Sequence, residues 1–348
     1  MKKDKNIIFV TGGTGLIGSH LLYGLVSSGR RIKALKRGKS NIRRVERIFS
    51  YYSEKPTTLF EKIEWVEGDI LDYFTLEKLL ENVNEVYHCA ATVSFDPKDH
   101  NKMMQNNITG TTNIVNASLE NKIKKFCHVS SVAAIGSESG NHLINEETGW
   151  VFSKKDTGYS ESKFFSETEV WRGIEEGLNA IIINPSVVLG PGNWNSGSSK
   201  FFFTIRKGMK FYTKGITGFV DVRDVVRAMI LLMDDNNFNR CKNKRFLLNS
   251  ENLSYKTLFT MIADNLGKPR PKIYVSNFLL TIAWRAIAFY SRITEKSPAI
   301  TRETAAASNT VKKFDGSKIT RFVDFKYFPV NESVYHTASI LKQEMQNT

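Results

Sequence analysis

Short apolar runs alternate with amphipathic stretches through the first half of this chain. The runs at 6–11, 31–36, 62–67, 85–90, 125–130 and 179–184 have the length and composition of buried strands. Between them, apolar positions recur at helical spacing over 15–28, 75–82, 101–120 and 157–176. A β-α repeat of this kind predicts an α/β fold, a doubly wound parallel sheet whose ligands bind outside the carboxyl ends of the strands. Residues 40–60 read as a long connection, a local insertion after the second strand. The expected division is a dinucleotide-binding part over 1–191 and a smaller substrate-facing part over 192–348, with 216–250 returning to the first.

The nucleotide reading comes from the first strand, which runs directly into Gly12, Gly15 and Gly18, spaced by three and followed by an amphipathic helix. One glycine makes the turn, one lets backbone approach a pyrophosphate, and one lets helix and strand pack closely. Leu16 and Ile17 then open the helix whose N-terminus faces the phosphates. The second strand ends in Lys36-Arg37 with no carboxylate, and residues 30–47 hold nine basic side chains against one acid, Glu46. A guanidinium suits a 2′-phosphate because its planar fork binds two oxygens at once. NADP(H) is therefore favoured, with NAD(H) as the alternative. Asp69 and Ile70 close the third strand, and Asp69 reads equally as an adenine partner or as a turn aspartate. Ala90 and Ala91 end the fourth strand and leave room for a cofactor, while the lone His88 on that strand reads as structural.

Composition narrows the class. With 348 residues and 41 % hydrophobic content the chain can bury a large core. Cys89, Cys127 and Cys241 are odd in number and lack C-x-x-C spacing, which predicts no disulfide frame and no metal site. The run after the charged Met1–Asn6 is four residues long and ends in the glycine loop, so no export signal and a cytoplasmic location are expected. The net charge of +14 fits an anionic cofactor or substrate, or an acidic membrane surface. Its cations are scattered without a recognition module, which argues against nucleic acid.

Tyr159 and Lys163 stand four apart on one helix face, after a strand ending in Ser130-Ser131. A nearby cation lowers a phenol toward the range of a general acid/base. Tyr51 and Lys55 share the spacing but lie in the 40–60 connection, so position selects Tyr159. Ser131 is preferred over Ser130, read as a strand-end serine bonded to backbone, to hold a substrate oxygen.

These residues carry a resemblance. Thr11–Gly18, Gly68-Asp69-Ile70, His88–Ala91, Asn107–Asn113, Ser130-Ser131, Tyr159-x-x-x-Lys163, Asn184–Pro191, Phe219–Asp224 and Phe314–Lys318 occur in the order found in extended short-chain dehydrogenases/reductases. The chain most resembles the dihydroflavonol 4-reductase-like and 3β-hydroxysteroid dehydrogenase-like branches of the epimerase/dehydratase superfamily. The resemblance implies a Rossmann fold and hydride transfer at a carbonyl or carbinol. Tyr159 would be the acid/base, Lys163 would bind the nicotinamide ribose and tune Tyr159, and Ser131 would orient the substrate. Asn107 would brace the fourth strand, and Pro185 and Ser186 would lie by the nicotinamide amide. Sugar-nucleotide members carry an arginine where Asn184 stands and an asparagine where Val187 stands. Dehydratases carry an acidic pair where this chain has Val132-Ala-Ala-Ile135. Both departures favour a simple oxidoreductase acting on a mainly apolar small molecule. A nucleotide-sugar epimerase with tightly held NAD and a non-catalytic dinucleotide sensor are the competing readings. A homodimer is compatible with the chain.

Phe95, Trp194, Phe202 and Tyr212 are candidates to line an apolar pocket, each weighed against a role in core packing. Residues 277–293 are apolar nearly all round, with Arg285 and Arg292, and are too short and charged to span a bilayer. A buried lid helix is the favoured reading; a membrane-surface helix is the alternative.

Overall fold

The computed structural model describes residues 6–136, 143–153, 156–276, 278–282, 284, 285, 287 and 301–346. Six strands fall where the apolar runs place them: β1 (Ile7–Thr11), β2 (Arg31–Lys36), β3 (Ile63–Glu67), β4 (Glu85–His88), β5 (Lys125–Val129) and β6 (Ala180–Pro185). Five shorter or later strands follow as β7 (Val187–Leu189), β8 (Phe211–Tyr212), β9 (Ile216–Asp221), β10 (Lys244–Leu248) and β11 (Glu251–Ser254), and then β12 (Ile273–Tyr274). The main sheet has seven strands in the order β10-β6-β5-β4-β1-β2-β3. Every pairing in it is parallel, which makes it a Rossmann-type, doubly wound sheet. Its seventh strand, β10, escapes the sequence pattern because it opens with Lys244-Arg245, charged residues at a sheet edge.

Helices cover both faces. The long ones are α1 (Leu16–Ser27), α5 (His100–Glu120) and α6 (Gly158–Glu175). Between α1 and α5 lie α2 (Arg43–Ser50), α3 (Pro56–Phe60) and α4 (Tyr73–Leu79). Later come α7 (Ser199–Arg206), α8 (Val222–Met233), α9 (Asp235–Cys241), α10 (Tyr255–Leu266), α11 (Arg302–Ala307) and α12 (Val330–Gln346). Alternation along each strand splits the interior: Ile8 and Val10 pack with Leu21, Leu25 and Met229 on one side, while Phe9 packs with Val86, Phe126, Ile114 and Val170 on the other.

The 40–60 connection is no peripheral insertion. Val45, Ile48 and Phe49 line one face of α2 and are buried, with the Phe49 ring edge-on to Tyr23 of α1 at 5.4 Å. That i, i+3, i+4 stripe is masked in sequence by the arginines between its members. A third core joins α7, α10 and α12 beside the small sheet β11-β9-β7.

The stretch 277–293 lies partly outside the described residues. Where it is described, 278–282 are helical and bury Leu280 while exposing Phe278, Leu279 and Ile282, so this part is not the buried helix expected. Among the described residues no helix is long and apolar enough to cross a membrane.

Candidate active site

The carboxyl ends of β1, β4, β5 and β6 converge on one region, and the glycine loop sits at its centre. Gly12 has φ +68°, and a Cβ there would lie 2.5 Å from the Ala90 nitrogen. A Cβ on Gly18 would lie 2.2 Å from the Gly12 oxygen. These two glycines are required by the fold itself. Gly15 is different: a Cβ would meet only the Gly12 oxygen, at 3.3 Å. Gly15 is also the N-cap of α1, with no side-chain cap and no acid in the first turn, so the N–H groups of Leu16 and Ile17 are offered outward. An uncapped helix N-terminus behind an exposed glycine fits a dinucleotide pyrophosphate.

Buried polar contacts hold this loop in place. Thr11 Oγ1 lies 2.7 Å from His88 Nδ1 and accepts from the Ala90 N–H at 3.2 Å. His88 Nε2 reaches Thr111 Oγ1 at 3.1 Å, and its ring stacks on His128 at 5.3 Å. Burial pushes His88 down to about 3, so it is a neutral brace between β1, β4 and α5. Asn107 clamps the loop after β4, accepting from the Thr92 N–H at 2.7 Å and donating to the Thr92 carbonyl at 2.9 Å. The same amide donates to Ser162 at 3.0 Å, so Asn107 ties the loop after β4 to α6.

At the carboxyl end of β2, Lys36 lies 3.4 Å from Glu67, which shares its charge. Arg37 is exposed, and no partner is found for its guanidinium among the described residues. Asp69 accepts from the Leu71 N–H at 3.0 Å, the turn contact, leaving its second oxygen for other work. Ile70 packs its side chain into the space over Gly110 of α5. Ala90 is half-buried and Ala91 exposed. Pro185 and Ser186 are buried where β6 leaves the main sheet, and the Ser186 hydroxyl finds no partner among the described residues.

The helix α6 starts with a capping box between Thr157 and Ser160, which fixes the turn that carries Tyr159. The Ser131 hydroxyl accepts from the Ala133 N–H at 3.1 Å and faces the Tyr159 phenol closely enough to influence it. The Phe95 ring lies edge-on to Tyr159 at 5.6 Å. Lys163, 2 % exposed, donates to the Val129 carbonyl at 2.9 Å. Burial raises the Tyr159 phenol above its ordinary value and Ser131 opposes that rise. Burial brings Lys163 itself down to about 8, opposed first by Glu167 and then by Cys89.

Glu167 was not singled out by the sequence. It sits one turn beyond Lys163, 2 % exposed, and accepts from Ser130 Oγ and Asn184 Nδ2, each at 2.6 Å. Its other oxygen accepts from Trp171 Nε1 at 3.2 Å and faces Arg245 of β10 at 3.4 Å. Asn184 also donates to the Ser131 carbonyl at 3.0 Å, so one carboxylate fixes the floor beneath the whole group. Ser130 is thereby corrected: its hydroxyl serves Glu167 rather than backbone, because it points under α6. An acid at i+4 from the lysine was the available signal, but helix glutamates are usually solvated.

The four aromatic candidates separate. Phe95 touches Tyr159. Phe202 and Trp194 are buried in the third core, where the Trp194 indole donates to Glu344. Tyr212 is half-buried beside Tyr274, 5.9 Å between ring centroids. The decoy Tyr51 hydrogen-bonds Glu344 of α12, and burial followed by that carboxylate raises its phenol.

Residues 8–244 match the family described as the NAD dependent epimerase/dehydratase family. The chain belongs to that family. This epimerase/dehydratase-family enzyme is 28 % identical over 319 residues to a candidate dihydroflavonol 4-reductase of Synechocystis sp., covering 89 % of this chain and 87 % of that protein. It is 26 % identical to cinnamoyl-CoA reductase 1 of Petunia hybrida, over 66 % of this chain and 69 % of the relative. Among solved structures, gox2253 superposes with a TM-score of 0.79 at 27 % identity, covering 97 % and 98 % of the two chains.

Proposed function

We propose that this enzyme is an NADP(H)-dependent reductase interconverting a carbonyl and a hydroxyl on a mainly apolar small molecule. The observation that carries the reading is the group Ser131–Tyr159–Lys163, with one apolar ring, Phe95, against the phenol. The names of the reductase relatives support the reaction class. A bound dinucleotide would supply or accept the hydride. Tyr159 passes its phenolic proton to the substrate oxygen, and Ser131, which faces that phenol, steadies the same oxygen. Lys163 holds a positive charge under the group and is placed to take a ribose hydroxyl in exchange for its bond to Val129. The first-turn N–H groups of α1 would hold the pyrophosphate, and Asp69 and Ile70 would border the adenine. Pro185 and Ser186 would lie on the nicotinamide side, where the Ser186 hydroxyl would gain a partner. Arg37 takes the 2′-phosphate, with Lys36 in a lesser role because of Glu67.

The epimerase reading finds less support. Its sugar-nucleotide arginine is replaced by Asn184, which is already committed to Glu167 and Ser131. Steady-state oxidation of NADPH against apolar ketones, aldehydes and nucleotide sugars tests the proposal. Turnover of the apolar carbonyls is expected; conversion of nucleotide sugars alone, without net cofactor oxidation, would replace it with the epimerase reading.

A further inference from the structure

The surface on the C-terminal side of the molecule has an unusual division of charge. Residues 199–220 and 265–287 contain nine lysines and arginines and no aspartate or glutamate. The two segments meet in space through β8 and β12, which run parallel with Ile273 beside Phe211 and Tyr274 beside Tyr212. Phe211, Ile273 and Tyr274 are all exposed on that small sheet. The chain then turns at Ser276, whose carbonyl accepts from the Leu280 N–H at 2.9 Å, and enters the helical residues 278–282. Only Leu280 of that turn points inward; Phe278 is 73 % exposed and Ile282 50 %.

The cations frame these apolar side chains. Lys214 lies 4.5 Å from the Tyr274 ring centroid and Lys256 5.0 Å from that of Tyr212. The Lys210 carbonyl accepts from the backbone N–H groups of Lys272 and Ile273, which brings both lysines to the edge of the small sheet. Arg270 is neutralised by Asp264 at 2.6 Å; no other lysine or arginine of the two segments has a carboxylate within ion-pair distance among the described residues. Contiguous exposed apolar side chains on a soluble face mark an interaction site. Aliphatic side chains such as Leu279 and Ile282 do not stack on bases, whereas unpaired cations around an apolar patch match anionic headgroups above an acyl boundary.

We propose that β8, β12, Ser276 and the helical residues 278–282 form a surface that docks on an anionic lipid bilayer. It stands independently of the reaction proposed above. Full-length protein is sedimented with vesicles of phosphatidylcholine alone and of phosphatidylcholine mixed with phosphatidylglycerol. Binding to the mixed vesicles only, weakened by salt, is expected. The double variant Lys210→Gln/Lys272→Gln should lower the partition coefficient roughly 30-fold, about five-fold per cation. Phe278→Ser/Ile282→Ser should abolish binding while the melting temperature and NADPH binding stay unchanged, since both side chains are exposed. The proposal is overturned by wild-type protein that ignores both vesicles, or by a Phe278/Ile282 variant that binds like wild type. It is equally overturned if that variant instead loses self-association in sedimentation velocity, or shows only a raised KM for an apolar carbonyl, which would make the surface a contact between copies or a substrate lid.

Discussion

Replacing Glu167 by Gln isolates the charge beneath Ser131, Tyr159 and Lys163. Glu167 is one helical turn from Lys163, and such neighbours have Cβ atoms about 5–6 Å apart. At an effective dielectric near 20, a unit charge about 6 Å away contributes about 3 kcal/mol, or roughly two pH units. Lys163 is protonated below its pKa, which burial has already brought to about 8, with Glu167 the main opposing influence. Removing the carboxylate therefore moves the loss of the ammonium downward, by about one to two pH units after relaxation. The neighbouring groups leave that window clear: His88 titrates at about 3, His128 lies well below its usual range, Cys89 is pushed up to about 12, and Tyr159 is raised. The assay is the pH dependence of kcat/KM, which reports the free enzyme. Glu167→Gln should show an alkaline limb displaced to lower pH, and Glu167→Asp should restore it in part. The variant also turns an amide toward the Ser130 and Asn184 donors, so a stability loss of about 1–3 kcal/mol accompanies it. A folded Glu167→Gln protein with the wild-type alkaline limb would refute the argument.

Other substitutions test other parts. Tyr159→Phe should abolish turnover and leave NADPH binding intact. Tyr51→Phe should keep turnover and lose about 1 kcal/mol of stability through its bond to Glu344, both read by steady-state rates and thermal melts. Arg37→Ala should weaken NADPH binding by about 1.5–3 kcal/mol, the scale of a charge-assisted hydrogen bond, while NADH is nearly unaffected in fluorescence titration. Gly18→Ala should lower the melting temperature sharply even without cofactor, because its Cβ would lie 2.2 Å from the Gly12 oxygen; an unchanged melt would show that the loop yields.

What the sequence revealed depended on how locally each feature is encoded. The glycine loop and six parallel strands were legible because apolar runs and turn residues report on their own neighbourhood. The strand β10 was not, since Lys244 and Arg245 obscure its apolar end, and α2 was hidden by the arginines around Val45, Ile48 and Phe49. Tyr159 and Lys163 were visible as a spacing, but Glu167 becomes meaningful only when β6 brings Asn184 and β10 brings Arg245 against it. The aromatic candidates show the same limit: Phe202 and Phe95 look alike in sequence, and only packing puts one in a core and the other on the phenol.

The most direct test of the central claim follows a label. The protein is incubated with NADPH carrying deuterium at the transferable C4 position and an apolar ketone, and the alcohol is examined by mass spectrometry. One deuterium is expected in the product for each NADPH consumed, with NADH a poorer donor and Tyr159→Phe inactive. Equal or better transfer from NADH would contradict the cofactor assignment, and turnover that survives in Tyr159→Phe would contradict the site.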